Sequence, residues 1–200
     1  MKSLLFIATL LLALPLVAQA FETAACGWEG SDTILGNYSD IIATIETSAP
    51  VYNGSQSLKL VDDAASGTPQ AFIGWVTNLN DDDTITASFW RYDDTPGAAP
   101  SCRIWGHWND DPNDINEYSG SAGGLSDYGP GTGWDMVEYE WIVVDGHTGF
   151  VLEVRTYSNA GDTVWIDDLT ITAPNGTTII VPEDVVSLER QSWGGIKASF

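Results

Sequence analysis

The chain has 200 residues and carries 28 aspartates and glutamates against 7 lysines and arginines, a net charge of −21. So acidic a surface repels phosphate backbones and anionic lipid, which argues against nucleic-acid and membrane partners, while it attracts Ca²⁺ and keeps a chain soluble. The length suits one domain with a sizeable core.

The chain opens with Met1-Lys2, an apolar run from Leu4 to Val17, and Ala18-Gln19-Ala20. A positive start, a short apolar centre and an A-x-A ending predict a secretory signal peptide over residues 1–20. The run is too short and wrongly flanked for a membrane span. The mature chain is then expected to begin at Phe21, to be secreted, and to be monomeric. Without Lys2 it carries 6 cations against 28 acids, net −22.

Phe21 to Asp32 reads as a short strand ending in a turn, and Thr33 to Thr47 holds ILG and the alternating IIATIET. In Tyr52 to Asp62 a turn at Asn53-Gly54 precedes a strand. Gln70 to Thr77 is apolar on both faces and reads as a central strand. Asp83 to Asn109 holds two arms of period two around a Pro/Gly/Ala turn. That turn is too short for a helical crossover, so the arms are expected to pair as an antiparallel hairpin. Ile85, Ala87, Phe89, Cys102, Ile104 and Gly106 face a core in this reading. Ser88, Trp90, Tyr92, Arg103, Trp105 and His107 face outward.

Asn109 to Asp135 is rich in Gly, Asp, Asn and Ser, has no period, and reads as one long loop. Within it, DDPNDINE (110–117) lacks the glycine and spacing of an EF-hand. Three strands follow. Met136 to Val144 sets Glu138 and Glu140 opposite Val137, Tyr139, Trp141 and Val143. Phe150 to Tyr157 sets Glu153, Arg155 and Tyr157 opposite Phe150, Leu152 and Val154. Asp162 to Thr172 is the last. Many short strands and no helical period before residue 183 predict an all-β sandwich or closed barrel. The domain is drawn at 21–174, with an appended extension at 175–200 ending SWGGIKASF. That tail is either a handle for secretion or surface machinery or a docked helix.

The outward set is Trp90, Tyr92, Arg103, Trp105, His107, Glu138, Glu140, Glu153, Arg155 and Tyr157. Aromatic planes with charged partners suit sugar rings and their hydroxyls, so these residues are the expected glycan-binding set. The plain alternative is that Arg103, Arg155, Glu138 and Glu153 form ion pairs covering a sheet. Cys26 and Cys102, an even pair in an oxidising compartment, suggest a disulfide contributing up to about 4–5 kcal/mol; otherwise Cys102 is a buried thiol.

GWEG (27–30), NGSQSLKL (53–60) and VWIDDLTIT (164–172), in that order, resemble jelly-roll carbohydrate-binding modules, the galactose-binding-domain-like sandwiches of secreted bacterial glycosidases. The resemblance implies a two-sheet antiparallel β-sandwich and non-catalytic binding of a polysaccharide. It also implies a structural Ca²⁺, with Glu29 and Asp167 as carboxylate ligands and Asn53 and Ser57 adding oxygens. Asp168 is the alternative ligand to Asp167, and both acids could instead merely end a strand.

Two other functions stay open. One is a cell-surface interaction protein using loop 109–135 or the tail. The other is a small glycan hydrolase or lyase built on Glu138 and Glu140, whose Cα atoms lie roughly 6.5–7 Å apart on one strand. Arg103 and Arg155 on neighbouring strands would keep that pair ionised and poor as acids. Two histidines give no zinc set of usual spacing, and no G-x-S-x-G elbow or phosphate loop is present.

Overall fold

The computed structural model describes residues 20–94, 102–129, 132–156 and 160–182. Most of the expected leader, the turn at 95–101, Tyr157 and the tail from 183 lie outside them. The described strands are, in chain order, β1 (Phe21–Cys26), β2 (Gly36–Tyr38), β3 (Ile41–Glu46), β4 (Ser57–Asp62), β5 (Gln70–Thr77) and β6 (Thr84–Asp93). They continue with β7 (Arg103–Trp108), β8 (Gly120–Gly124), β9 (Gly133–Ile142), β10 (Gly149–Arg155), β11 (Thr163–Pro174) and β12 (Thr178–Ile180). The first sheet runs β3-β4-β11-β6-β9, with β1 also on β11; the second runs β12-β5-β10-β7-β8, with β2 also on β5. Neighbouring strands pair antiparallel throughout. This is the expected two-sheet β-sandwich of jelly-roll type.

Period-two alternation puts Leu58, Leu60, Ile85, Ala87, Phe89, Val137 and Trp141 of the first sheet against Ile73, Ile104, Phe150, Leu152 and Val154 of the second. Burying one such aliphatic or phenyl side chain contributes about 1.5–3 kcal/mol. On β11 the inward set changes phase from Val164 and Ile166 to Leu169, Ile171 and Ala173. The register against β6 shifts between Asp167 and Thr170, and Asp168 takes a φ of 48°. A bulge of this kind needs a residue that tolerates the left-handed region, as aspartate does. Two glycines keep the packing tight. A Cβ at Gly74 would lie 2.2 Å from Ile171 Cδ1, and one at Gly106 would lie 2.2 Å from Phe150 Cε2.

Four expectations are corrected. The arms 84–93 and 103–108 do not form a hairpin. β6 pairs with β9 and β11 in the first sheet, and β7 pairs with β8 and β10 in the second. The two arms lie in different sheets, which the same periodicity permits. Stretch 109–135 is not all loop, because β8 adds an edge strand on β7. The sandwich runs past residue 174, because β12 pairs with β5. Finally, Cys26 and Cys102 are both buried but not bridged to each other. Their side chains belong to the hydrophobic core, where a thiol packs as a small hydrophobe.

Candidate functional site: a ring-walled groove on the second sheet

The crossover separates the expected glycan-binding set. Trp90, Tyr92, Glu138 and Glu140 lie on the first sheet. Arg103, Trp105, His107, Glu153 and Arg155 lie on the second, where the register aligns Glu153 with Trp105 and Arg155 with Arg103. Glu138 and Glu140 stand opposite Ser88 and Thr86. The arginines expected to hold that acid pair ionised are therefore on the wrong sheet for that role.

On the second sheet a groove of about 460 Å³ is lined by Tyr38, Gln70, Phe72, His107, Asn116, Tyr118 and Arg155. Tyr38 and Tyr118 are exposed at 63% and 60%. Below them Phe72 meets the His107 ring edge-on at 5.1 Å, and Tyr118 lies 5.5 Å from it. Glu153 is fully buried and ties the floor together. Its Oε1 lies 2.5 Å from His107 Nδ1, and its Oε2 accepts a 2.5 Å bond from Arg155 Nε. With its amide turned so that nitrogen faces the acid, Gln70 bridges the same charges, nitrogen 3.1 Å from Glu153 Oε1 and oxygen 3.2 Å from Arg155 Nη2. A carboxylate accepting from Nδ1 fixes the proton there. His107 Nε2 is buried and makes no hydrogen bond. An orphaned buried polar atom beside a groove is a position that a ligand hydroxyl can satisfy.

Trp105 differs from its expected part. The Arg103 and Arg155 guanidinium carbons lie 4.8 and 4.7 Å from its ring centre, and its Nε1 donates to Ser121 Oγ at 3.0 Å. It holds arginines rather than offering a bare ring. The open rings are Tyr38 and Tyr118. Neither they nor Gln70, Phe72 and Asn116 belong to the set expected from sequence. Tyr157 falls outside the described residues.

Trp90 and Tyr92 enter a ring cluster on the first sheet. Tyr52 stacks on Trp90 at 4.0 Å, and Trp134 and Trp165 flank Tyr92 at 5.3 and 5.7 Å. One face of Trp90 is thus covered by Tyr52, and Trp90 stays half-buried. Inward on β6 lies a group absent from the sequence reading. Arg91, 2% exposed, donates from Nη2 and Nε to Asp135 Oδ2 at 2.8 and 3.1 Å, and from Nη2 to Asp127 Oδ2 at 3.1 Å. Its Nη1 donates to the carbonyls of Cys102 and Asp127. Its signal was the alternation itself, which sets Arg91 in phase with Phe89.

The expected calcium ligands do converge, on turn 52–56. Glu29 Oε1 accepts from Ser55 N and Gln56 N at 2.8 and 3.2 Å, and Oε2 from Ser55 Oγ at 2.6 Å. Asp167 Oδ2 accepts from Tyr52 N and Asn53 N at 2.9 and 3.1 Å, and Oδ1 from Asp168 N at 2.8 Å. Asn53 Nδ2 faces Asp168, and Ser57 Oγ donates to Pro50 O. Burial holds Asp167 above the usual carboxylate range despite those amide bonds. Calcium wants six to eight oxygens from carboxylates, carbonyls and waters. Among the described residues no three histidine, cysteine or acidic side chains gather as a metal set. In this structure the two carboxylates cap an amide turn.

No family model matches this chain, and no curated protein matches it. Solved structures do. The tandem CBM22-1-CBM22-2 domain of Xyn10C from Paenibacillus barcinonensis superposes with a TM-score of 0.50 at 13% identity, covering 78% of this chain and 47% of that one. The CBM22-2 xylan-binding domain of the same protein gives 0.48 at 17% identity, covering 75% and 98%. The K1 cleaved adhesin domain of Lys-gingipain from Porphyromonas gingivalis gives 0.47 at 14%, covering 75% and 97%. The likeness to jelly-roll carbohydrate-binding modules is borne out as a likeness of fold.

Proposed function

We propose that the protein is a secreted, non-catalytic carbohydrate-binding module that takes a glycan in the groove of the second sheet. One observation carries this reading: the open rings of Tyr38 and Tyr118 stand over a floor of His107, Glu153 and Arg155. Sugar C–H faces pack on aromatic planes, and sugar hydroxyls need convergent polar partners. Secretion is supported by the leader-like start. Binding without cleavage is supported by the position of Glu138 and Glu140, exposed on the other sheet.

Affinity electrophoresis against a panel of soluble polysaccharides tests the reading. At least one glycan class retards the wild type. Tyr118→Ala weakens that retardation roughly tenfold or more, as for an aromatic anchor, while Trp90→Ala leaves it unchanged. No retardation by any glycan, or release of reducing ends from one, contradicts the proposal.

A further inference from the structure

The charge around the groove is out of character with the chain. Net charge is −21, yet Arg103 and Arg155, two of the four lysines and arginines among the described residues, stand together around Trp105. The two are not equivalent. Arg155 is paired with Glu153, just as Arg91 is paired with Asp127 and Asp135. Arg103 makes no ion pair among the described residues, and its Nε is buried without a hydrogen-bond partner. Its guanidinium rests instead against two rings, 4.8 Å from the centre of Trp105 and 4.9 Å from that of Tyr128.

Rings steady a guanidinium plane but accept none of its five N–H groups in a strong bond. A half-buried planar cation, held in place and lacking an anion among the described residues, matches the flat two-oxygen edge of a carboxylate or sulfate. The neighbouring acids are otherwise engaged: Glu153 by His107 and Arg155, Asp127 by Arg91 and Gly129 N.

We infer that the glycan of this groove is acidic, and that Arg103 binds its carboxylate or sulfate-ester group. This rests on the proposed glycan-binding reading of the same groove. The acidic surface elsewhere disfavours a polyanion laid along the molecule. At about 0.1 M salt that repulsion is screened beyond about 10 Å. The contact is therefore local, one acidic sugar beside Trp105 with its neighbours in the groove.

An oligosaccharide array carrying neutral, uronate-bearing and sulfated members on shared backbones tests it, with the full mature chain as probe. An acidic member binds about tenfold or more tightly than its neutral counterpart, as expected for a charge-assisted pair. Preference for the uronate or for the sulfate names the source of the anion. Arg103→Met removes that preference and keeps binding to the neutral backbone. Arg103→Lys restores it only in part, because an ammonium lacks the fork. Circular dichroism establishes that each variant is folded; if Arg103→Met is not, Arg103→Lys carries the test. Equal or stronger binding of neutral members, or a preference that survives loss of the guanidinium, overturns the inference and leaves the glycan reading standing. Binding to no member overturns both.

Discussion

His107 Nδ1 and Glu153 Oε1 lie 2.5 Å apart on neighbouring strands of the second sheet, and the Glu153 carboxylate is wholly buried. That carboxylate also accepts from Arg155, so one group sets the orientation of two side chains that line the groove. Glu153→Leu is expected to leave both without their anion at a cost of about 3 kcal/mol, the usual result of removing one partner from a buried pair. Chemical denaturation measures it. An unchanged midpoint would mean that the pair plays no part in holding the floor.

Turn 52–56 is held by Glu29 in a way that leaves no room at Gly54. Gly54 has a φ of 72°, and a Cβ there would fall 2.0 Å from Glu29 Oε1. Gly54→Ala should cost about 1–3 kcal/mol, from backbone strain and the displaced cap. A thermal melt that matches the wild type would contradict this.

The same cap gives stability a pH dependence. Burial raises the Glu29 pKa, but the hydrogen bonds from Ser55 and Gln56 lower it by more, so it lies below its ordinary 4.5. Asp127 is also depressed, mainly by Gly129 N, with burial opposing and Arg91 assisting. A depressed folded value contributes stability that is present above the unfolded value and lost as pH falls through the folded one. Asp167, raised by burial, acts with the opposite sign: its contribution is lost as pH rises through its folded value. Glu29→Gln should lower stability at neutral pH and flatten the decline below about pH 4.5. Urea midpoints from neutral pH down to about pH 3 read this directly, and parallel curves for the two proteins would contradict it.

Arg91 is buried where alternation would place an apolar side chain, and its guanidinium closes loop 125–129 over β6. Arg91→Ala should cost about 3–5 kcal/mol, because the carbonyl of Cys102 and the two aspartates lose their donor. Faster proteolysis within 125–129 is expected alongside. Wild-type stability would show that the network is dispensable.

Chelation separates the amide-turn reading of Glu29 and Asp167 from a calcium site. An ion bound only to the folded state raises stability by mass action. With every carboxylate oxygen of these two residues already bonded to an N–H or O–H group, EDTA should leave the unfolding midpoint unchanged. A fall in midpoint, reversed by added Ca²⁺, would restore the cation.

Much of the strand content was legible because alternation is a local property. The faces of β6 and β9 follow from it, down to Ile85, Phe89, Val137 and Trp141 pointing inward. Pairing is not local. A short turn after Asp93 serves a hairpin or a step between sheets equally well, and the choice depends on what β11 and β10 offer as partners. Reading the hairpin put Trp90 beside Trp105, which the sandwich sets on different sheets. Glu153, Arg155 and His107 were found because alternation set them opposite the core residues of their strands. Phe72 was hidden in β5, where both faces are apolar, although Gln70 two residues earlier marked the outward phase. Tyr118 and Asn116 were hidden in a stretch with no period. Cys26 and Cys102 show the limit of arguing from number and compartment, because an even count carries no geometry.

The most direct test of the central claim is an assigned ¹⁵N–¹H correlation spectrum of the protein, recorded with and without the best-retarding oligosaccharide. The account predicts shifts confined to the second sheet and its wall, at Tyr38, Gln70, Phe72, His107, Tyr118 and Arg155. Shifts confined instead to Trp90, Tyr92, Glu138 and Glu140 would place binding on the first sheet and contradict it.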